Sequence, residues 1–442
     1  MNKNLIFKSQ STPTIKVYLY IFVYFMIVRL IYVFFQGFFN NYALLMDSVG
    51  LVHFADQALL GDFNFDWGRF IASPLMSLFI AGHKLLFGSY WNVVLIINQL
   101  MLSSISGIYF YKISRLLFDK KEIATIATII FGVFPMTLFW VHTFSQETLF
   151  QSLLIFSIYH LIQYCSNEKL TSLIYSALLF ALCFLTKSHI LIFSLFIPVI
   201  LFLNNNSKKK SIFSILVYTL ICILSTLPYG LYHLKYNQAY ILSSNGYGYQ
   251  FYFGNSWPGY RNIVEPLPLD TIFQHYKNGI DNAPYYYGNE QANIDSMFQL
   301  PQHTKQYAFL KSGLNWIVAH PWLSLKLKCF DLFYFLIPGV NPKLYTFWNW
   351  FISFIISFPI YIFGYWGMWL ALKKDYKKHL FVLALFLTMI LFSVVWYVQN
   401  RFRTITIEPF YIIYASSIIY RELSKTRYLN FIIPDNILQN KS

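Results

Sequence analysis

An all-α, multi-pass membrane fold is predicted by three features of this chain. Hydrophobic residues make up 57% of it and charged residues only 12%, about half the charged share of an ordinary soluble domain. The apolar residues gather into ten runs suited to crossing a bilayer. Basic patches follow every second run, which is the signature of turns retained in the cytoplasm. Residues 1–442 therefore read as a single integral membrane domain, with no soluble domain hidden in it.

The first run, about Val17–Phe39, is longer than a signal-peptide core and no small-residue cleavage site follows it. It reads as a retained anchor with the amino terminus in the cytoplasm. Further spans are expected near Trp91–Leu117, Ile123–Phe139, Thr148–Tyr164, Leu170–Leu185, Ile190–Leu203, Ser211–Leu231, Phe347–Leu372, Leu380–Val398 and Ile407–Tyr420. Lys3, Lys8 and Lys16 precede the first span. Arg115, Lys120 and Lys121 follow the second, Lys208–Lys210 the sixth, Lys373, Lys374, Lys377 and Lys378 the eighth, and Arg421, Lys425 and Arg427 the tenth. The alternation holds only if two other apolar stretches, Phe70–Phe87 and Trp322–Pro338, stay interfacial or re-entrant. Lys84, Lys326 and Lys328 within them suit a membrane surface.

The net charge of +15 is therefore a topology signal and not a nucleic-acid footprint. Four cysteines, Cys165, Cys183, Cys222 and Cys329, lack CxxC spacing and sit mainly in or near apolar runs. Neither a disulfide framework nor a metal site is indicated.

Two outward connections hold the candidate chemistry: residues 40–69, with Asp47, Asp56, Asp62 and Asp66, and the loop 232–321, which is too long and aromatic for a passive linker and is expected to be of mixed structure. In the first, Val49, Val52, Phe54, Ala55, Ala58 and Leu59 recur at helical spacing. Asp47 thus opens an amphipathic helix lying on the membrane, and Gly61 ends it. An aspartate there suits an N-cap.

The segment DSVGLVHFADQALLG, followed by SPLMSLFIAGHKLLFG, resembles the GT-C glycosyltransferases, in particular bacterial relatives of the protein O-mannosyltransferases and aminoarabinose transferases. SQETLF, FLTKSHILIF, FGNSWPGY and NRFRTITIEPFYIIYAS extend the likeness from about Val28 to Ser416. Three departures stand out. Many members have Asp-Glu where this chain has Asp47-Ser48, Gln146 separates Ser145 from Glu147, and Thr404-Ile405-Thr406 stands where a proline is often found.

The resemblance implies a membrane enzyme that takes a sugar from a polyprenyl-phosphate carrier with inversion and passes it to a glycan, lipid or protein acceptor. Such chemistry needs a carboxylate base, cations for the leaving phosphate and a lipid groove. No cofactor is required, and a divalent metal is compatible. Asp47 is then the base, and Glu147 a second acid or a helix cap. Arg401 and Arg403 break the positive-inside trend and suit phosphate, although lipid headgroups or a salt bridge to Glu408 would serve as well. Lys187 and His189 are further phosphate candidates, but Lys187 also suits snorkelling.

Arg69, His142 and Arg261 are candidates to line the same cavity, the two arginines with Asp66 and Glu265 as alternative partners. Tyr249 and Trp257, within the cluster Tyr247, Tyr249, Tyr252, Trp257 and Tyr260, suit sugar stacking or simple interfacial packing. Arg29, near the centre of span one, needs an acidic or water partner, because an unpaired charge there costs at least roughly 2.5 kcal/mol. The expected setting is the inner membrane of a bacterium, with the site on the outer face. A surface-polysaccharide polymerase or ligase and a lipid-linked-sugar flippase are the rival readings.

Overall fold

The computed structural model describes residues 14–36, 46–68, 70–205, 207–264, 290–340, 347–396 and 400–425. Its regular structure is helical throughout; one isolated bridge, Asp66 to Ile71, is the sole β pairing among the described residues.

In chain order the helices are α1 (Ile15–Phe35), α2 (Met46–Leu59), α3 (Leu75–Phe87), α4 (Trp91–Phe118), α5 (Lys121–Val133), α6 (Pro135–Leu138), α7 (Glu147–Asn167), α8 (Leu170–Thr186) and α9 (Ile197–Asn204). They continue with α10 (Lys208–Asn237), α11 (Tyr247–Gly254), α12 (Trp257–Ile263), α13 (Gln291–Phe298), α14 (Gln302–Ala319), α15 (Pro321–Leu336), α16 (Phe347–Val395), α17 (Asn400–Thr406) and α18 (Glu408–Lys425).

Among the described residues five helical stretches, with α3 and α4 counted as one, are long and apolar enough to cross a bilayer, or six if the α5–α6 pair, bent by 56°, counts as one span. The ten expected runs map onto this pattern with physical reasons for each difference. Pro135 opens α6 and, lacking an N–H, breaks the α5 ladder. The run 190–203 is divided between a 3-10 segment, Ser188–Leu195, and the short α9. Two expected spans merge into α16, whose backbone leaves helical geometry at Asp375 (φ −153°, ψ 80°) in the basic turn. α18 carries Glu408, Arg421 and Glu422 and so falls short of the apolarity of the rest.

The stretch expected to stay at the interface folds back on its neighbour. Gly88, at φ +52°, turns the chain so that α3 packs against α4. His83 Nε2 and Asn98 Nδ2 meet at 2.7 Å across that turn. Lys84 pairs with Asp56 at 2.5 Å, tying α3 to the amphipathic α2. α2 buries Leu51, Phe54 and Ala55, leaves Val49 exposed, and is followed by Gly61 at φ +86°.

α4 lies between α1, α5 and α7, and α7 packs on α8. The fully buried Arg29 of α1 meets α4 and α5: its Nε donates to Ser103 Oγ (2.6 Å), its Nη1 to the Gly132 carbonyl (3.3 Å), and the guanidinium lies 4.2 Å from the Phe25 ring centre. Among the described residues Arg29 meets a hydroxyl, a carbonyl and an aromatic face, and no carboxylate. The basic turns meet acids of neighbouring turns, Lys378 with Asp119 at 3.4 Å and Lys210 with Glu168.

In the long loop 232–321 the described regular elements are helices, α11 to α14, joined by irregular stretches such as 238–246. α11 packs on α14 so closely that a Cβ on Gly248 would lie 1.8 Å from the Gln306 carbonyl oxygen; glycine is required there. Gln306 Oε1 accepts from the Gly248 and Tyr249 amides at 3.1 and 3.0 Å. The loop is also fastened to the first one, since Gln302 Nε2 donates to both Asp66 carboxylate oxygens at 2.8 Å.

A candidate active site where α2, α7 and α17 meet

Asp47 lies in the first turn of α2, and Arg401 is the second residue of the short α17. Their side chains form a direct ion pair through Arg401 Nη1 and Asp47 Oδ2. The same Nη1 stands 3.9 Å from Glu147 Oε1, at the first residue of α7, and that oxygen accepts from Lys187 Nζ at 2.9 Å. Two carboxylates and two cations thus alternate along one line.

The line runs from open to closed. The Asp47 and Arg401 side chains are 46% and 31% exposed, whereas those of Glu147 and Lys187 are 1% and 8% exposed. Arg401, whose positive charge stabilises the ionised form, holds the Asp47 carboxyl below the usual carboxylate range, with Lys187 adding to the effect. The buried half survives because its charges are paired; an isolated ion would be far more costly in that setting. Phe402 lies beside both cations, with its ring centre 5.1 Å from Lys187 Nζ and 5.6 Å from the Arg401 guanidinium.

A polar support holds the Glu147 end. Gln99, in the otherwise apolar face of α4, donates from Nε2 to the Thr143 carbonyl at 2.9 Å, and Thr143 Oγ1 meets Ser145 Oγ at 2.5 Å. Ser145 is in turn hydrogen-bonded to Glu147. On the other side His189 Nε2 contacts Thr406 Oγ1 at 3.3 Å, its ring between Phe150 and Phe402.

The structure therefore brings Asp47, Glu147, Lys187, His189 and Arg401 together and holds Arg403 apart. Arg403 is 1% exposed and each of its nitrogens is engaged: Nε with Glu408 Oε1 (2.9 Å), Nη1 with the carbonyls of Tyr334, Phe335 and Ile337 (3.1, 2.7 and 2.6 Å), and Nη2 with that of Gly339 (2.6 Å). Arg403 thus forms the salt bridge to Glu408 that stood as the alternative to phosphate, and it clamps the end of α15. Tyr361 donates to the same Glu408 oxygen.

His142 is buried against Tyr32, ring centres 5.5 Å apart. Arg69 and Glu265 lie outside the described residues. Arg261 rests 6.0 Å from the Trp257 ring centre. Tyr249 packs against Phe70, Phe298 and Phe309, and Trp257 against Tyr260, Trp316 and His320. Both rings take part in the loop's own small cores, in keeping with the packing reading that stood beside sugar stacking.

Gln99 and Phe402 were not singled out by the sequence. A pair of adjacent amides, Asn98 and Gln99, in a hydrophobic run was the available signal for Gln99; for Phe402, one aromatic among many, there was none. No group of three or more His, Cys, Asp or Glu side chains suited to a metal comes together among the described residues.

A family model described as dolichyl-phosphate-mannose-protein mannosyltransferase matches residues 72–231, about a third of the chain. The fold resembles the Archaeoglobus fulgidus oligosaccharyltransferase AglB in complex with an inhibitory peptide and a dolichol-phosphate, with a TM-score of 0.53 at 14% identity over 94% of this chain and 52% of that one. The chain has the GT-C fold. The enzyme from Archaeoglobus fulgidus tethered to an acceptor peptide containing the NVT sequon by a disulfide gives a TM-score of 0.56 at 13% identity, over 94% of this chain and 51% of that one. This GT-C chain, a multi-pass membrane protein, spans about half the length of the solved structures it matches. No curated protein matches it significantly in sequence.

Proposed function

We propose that this protein is a membrane glycosyltransferase that moves a sugar from a polyprenyl-phosphate carrier to a hydroxyl of a glycan, lipid or protein acceptor, with inversion at the anomeric carbon. The observation that carries the reading is the half-open Asp47–Arg401 pair backed by the buried Glu147–Lys187 pair. A lipid-linked donor is further supported by the dolichol-phosphate in a solved relative of the same fold.

The donor phosphate is an anion that competes with Asp47 for Arg401. When it binds, Arg401 turns part of its guanidinium to phosphate oxygens, a match its planar fork suits. Asp47 then loses the cation that depresses its proton affinity and becomes a better base as the acceptor hydroxyl arrives. As the hydroxyl oxygen bonds to the anomeric carbon, its proton passes to Asp47 and the glycosidic electron pair leaves on the phosphate, where Arg401 and Lys187 neutralise the growing charge. Glu147 stays paired with Lys187 and fixes its position.

The setting proposed is a bacterial inner membrane with both termini cytoplasmic and Asp47 and the loop 232–321 on the outer face. The purified chain incubated with labelled polyprenyl-phosphate sugars and membrane extracts tests the activity: label should move to an acceptor and free carrier phosphate should appear. Movement of intact donor across proteoliposomes, without cleavage, would identify a flippase and end the transferase reading.

A further inference from the structure

At the opposite end of α4 from the ion cluster lies a second cation with a different environment. Lys112 is 13 residues beyond Gln99, about 20 Å along the helix. Its Nζ is surrounded by three tyrosine rings at 4.7, 5.0 and 5.6 Å from their centres: Tyr18 of α1, Tyr109 of α4 and Tyr159 of α7. Tyr109 and Tyr159 meet edge to face at 5.0 Å. Three helices thus contribute one wall each to an aromatic cage.

The cage attracts the ammonium through ring quadrupoles but takes none of its protons into a hydrogen bond. An ammonium carries three donors. Among the described residues, none of Lys112's donors meets an acceptor, and no carboxylate lies within salt-bridge distance. Lys112 is half-buried, so an approach from outside the bundle remains. His160 packs on Tyr109 and Tyr159, and its Nδ1 is buried without a partner. Arg115, one turn further along α4, lies within electrostatic reach of Tyr18. One turn before Tyr18 on the same face of α1, Ile15 is 84% exposed, and Tyr175, 56% exposed, packs on His160; both would border acyl chains.

We infer that Lys112, with its tyrosine cage, binds the phosphate of an anionic lipid headgroup in the leaflet next to the basic turns. The ammonium supplies charge and donors, the phenol hydroxyls on the same rings add further donors, and the rings keep competing water away. A lipid is favoured over free phosphate because exposed apolar side chains border the cage, where an acyl chain has surface to lie on. Arg115 and the turn carrying Lys120 and Lys121 add positive potential that draws such lipids to this end.

The full chain, purified and stripped of lipid, is titrated with phosphatidylglycerol, with phosphatidylcholine and with inorganic phosphate, and bound lipid is counted by native mass spectrometry alongside thermal melting. The wild type should retain one phosphatidylglycerol at least about tenfold more tightly than phosphatidylcholine. Lys112→Gln should lose that preference. Lys235→Gln, which removes an exposed lysine held by a single ring, should keep it. If Lys112→Gln does not fold, Tyr159→Leu, which opens the cage while leaving the charge, should still weaken the preference. Equal retention in these variants and the wild type would overturn the site. Stabilisation by inorganic phosphate equal to that by phosphatidylglycerol, lost in Lys112→Gln, would overturn the lipid as the source.

Discussion

Arg401 and Arg403 stand two residues apart on the same short helix and have opposite fates. Arg401 is 31% exposed and shares one nitrogen between Asp47 and Glu147; Arg403 is 1% exposed and holds one carboxylate and four backbone carbonyls. A helix turns about 100° per residue, so a spacing of two sends the side chains to nearly opposite sides. One side meets Asp47 and Glu147, and the other the end of α15 and Tyr361 of α16. The lesson concerns exchangeability: a half-open ion pair can trade a partner for a ligand, whereas a sealed guanidinium with every nitrogen engaged cannot do so without unmaking the fold around it.

The comparison is sharpest at Asp47. Asp47→Asn should lower turnover by about 10²–10⁴-fold while the melting temperature stays near wild type and donor binding is kept or tightened, because the amide cannot accept the acceptor proton and competes less with phosphate for Arg401. Near-normal turnover would remove Asp47 as the base and direct attention to Glu147.

Breaking the sealed cluster should act on stability first. Arg403→Ala leaves Glu408 buried without its cation and should cost about 3–5 kcal/mol, read as a lower melting point in detergent before any assay is run. An unchanged melting point with weaker donor binding would place Arg403 beside Arg401 in function and erase the contrast between them.

Arg401→Lys should do the reverse, leaving the melting point unchanged and raising the donor KM about tenfold, the size of one lost charge-assisted hydrogen bond (about 1.5 kcal/mol). Unaltered kinetics would return Arg401 to a structural or headgroup role.

A pH series refines the same pair. Because Arg401 lowers the Asp47 pKa, the pair's contribution is in place above the ordinary carboxylate range and is lost as pH falls through the lowered folded value. In Arg401→Gln the acidic limb of the rate profile should move up toward the ordinary range. A limb that stays put would show that it belongs to another group. The smallest effect is expected from Gln99→Leu, a loss of about 1 kcal/mol in support for the Thr143–Ser145 turn, seen as a slight fall in activity with the fold kept.

Much of this architecture was legible in the sequence because membrane insertion is decided locally: run length, apolarity and the placement of Lys and Arg are properties of neighbours in the chain. The amphipathic spacing after Asp47 gave α2, and Gly61 marks where it stops. α17 was less legible, since seven residues between two apolar runs carry too little periodicity to announce a helix. Without that helix Arg401 and Arg403 looked alike, and the salt bridge to Glu408 stood as one alternative for both.

The sequence by itself determined that this chain is a helical membrane protein and which polar residues it carries on each connection. Only the tertiary structure decided which charges meet. Asp47 and Arg401 are 354 residues apart, Glu147 and Lys187 are 40 apart, and Lys112 draws its cage from three helices. Each pairing depends on how helices from distant parts of the chain pack side by side, and no local pattern encodes that distance.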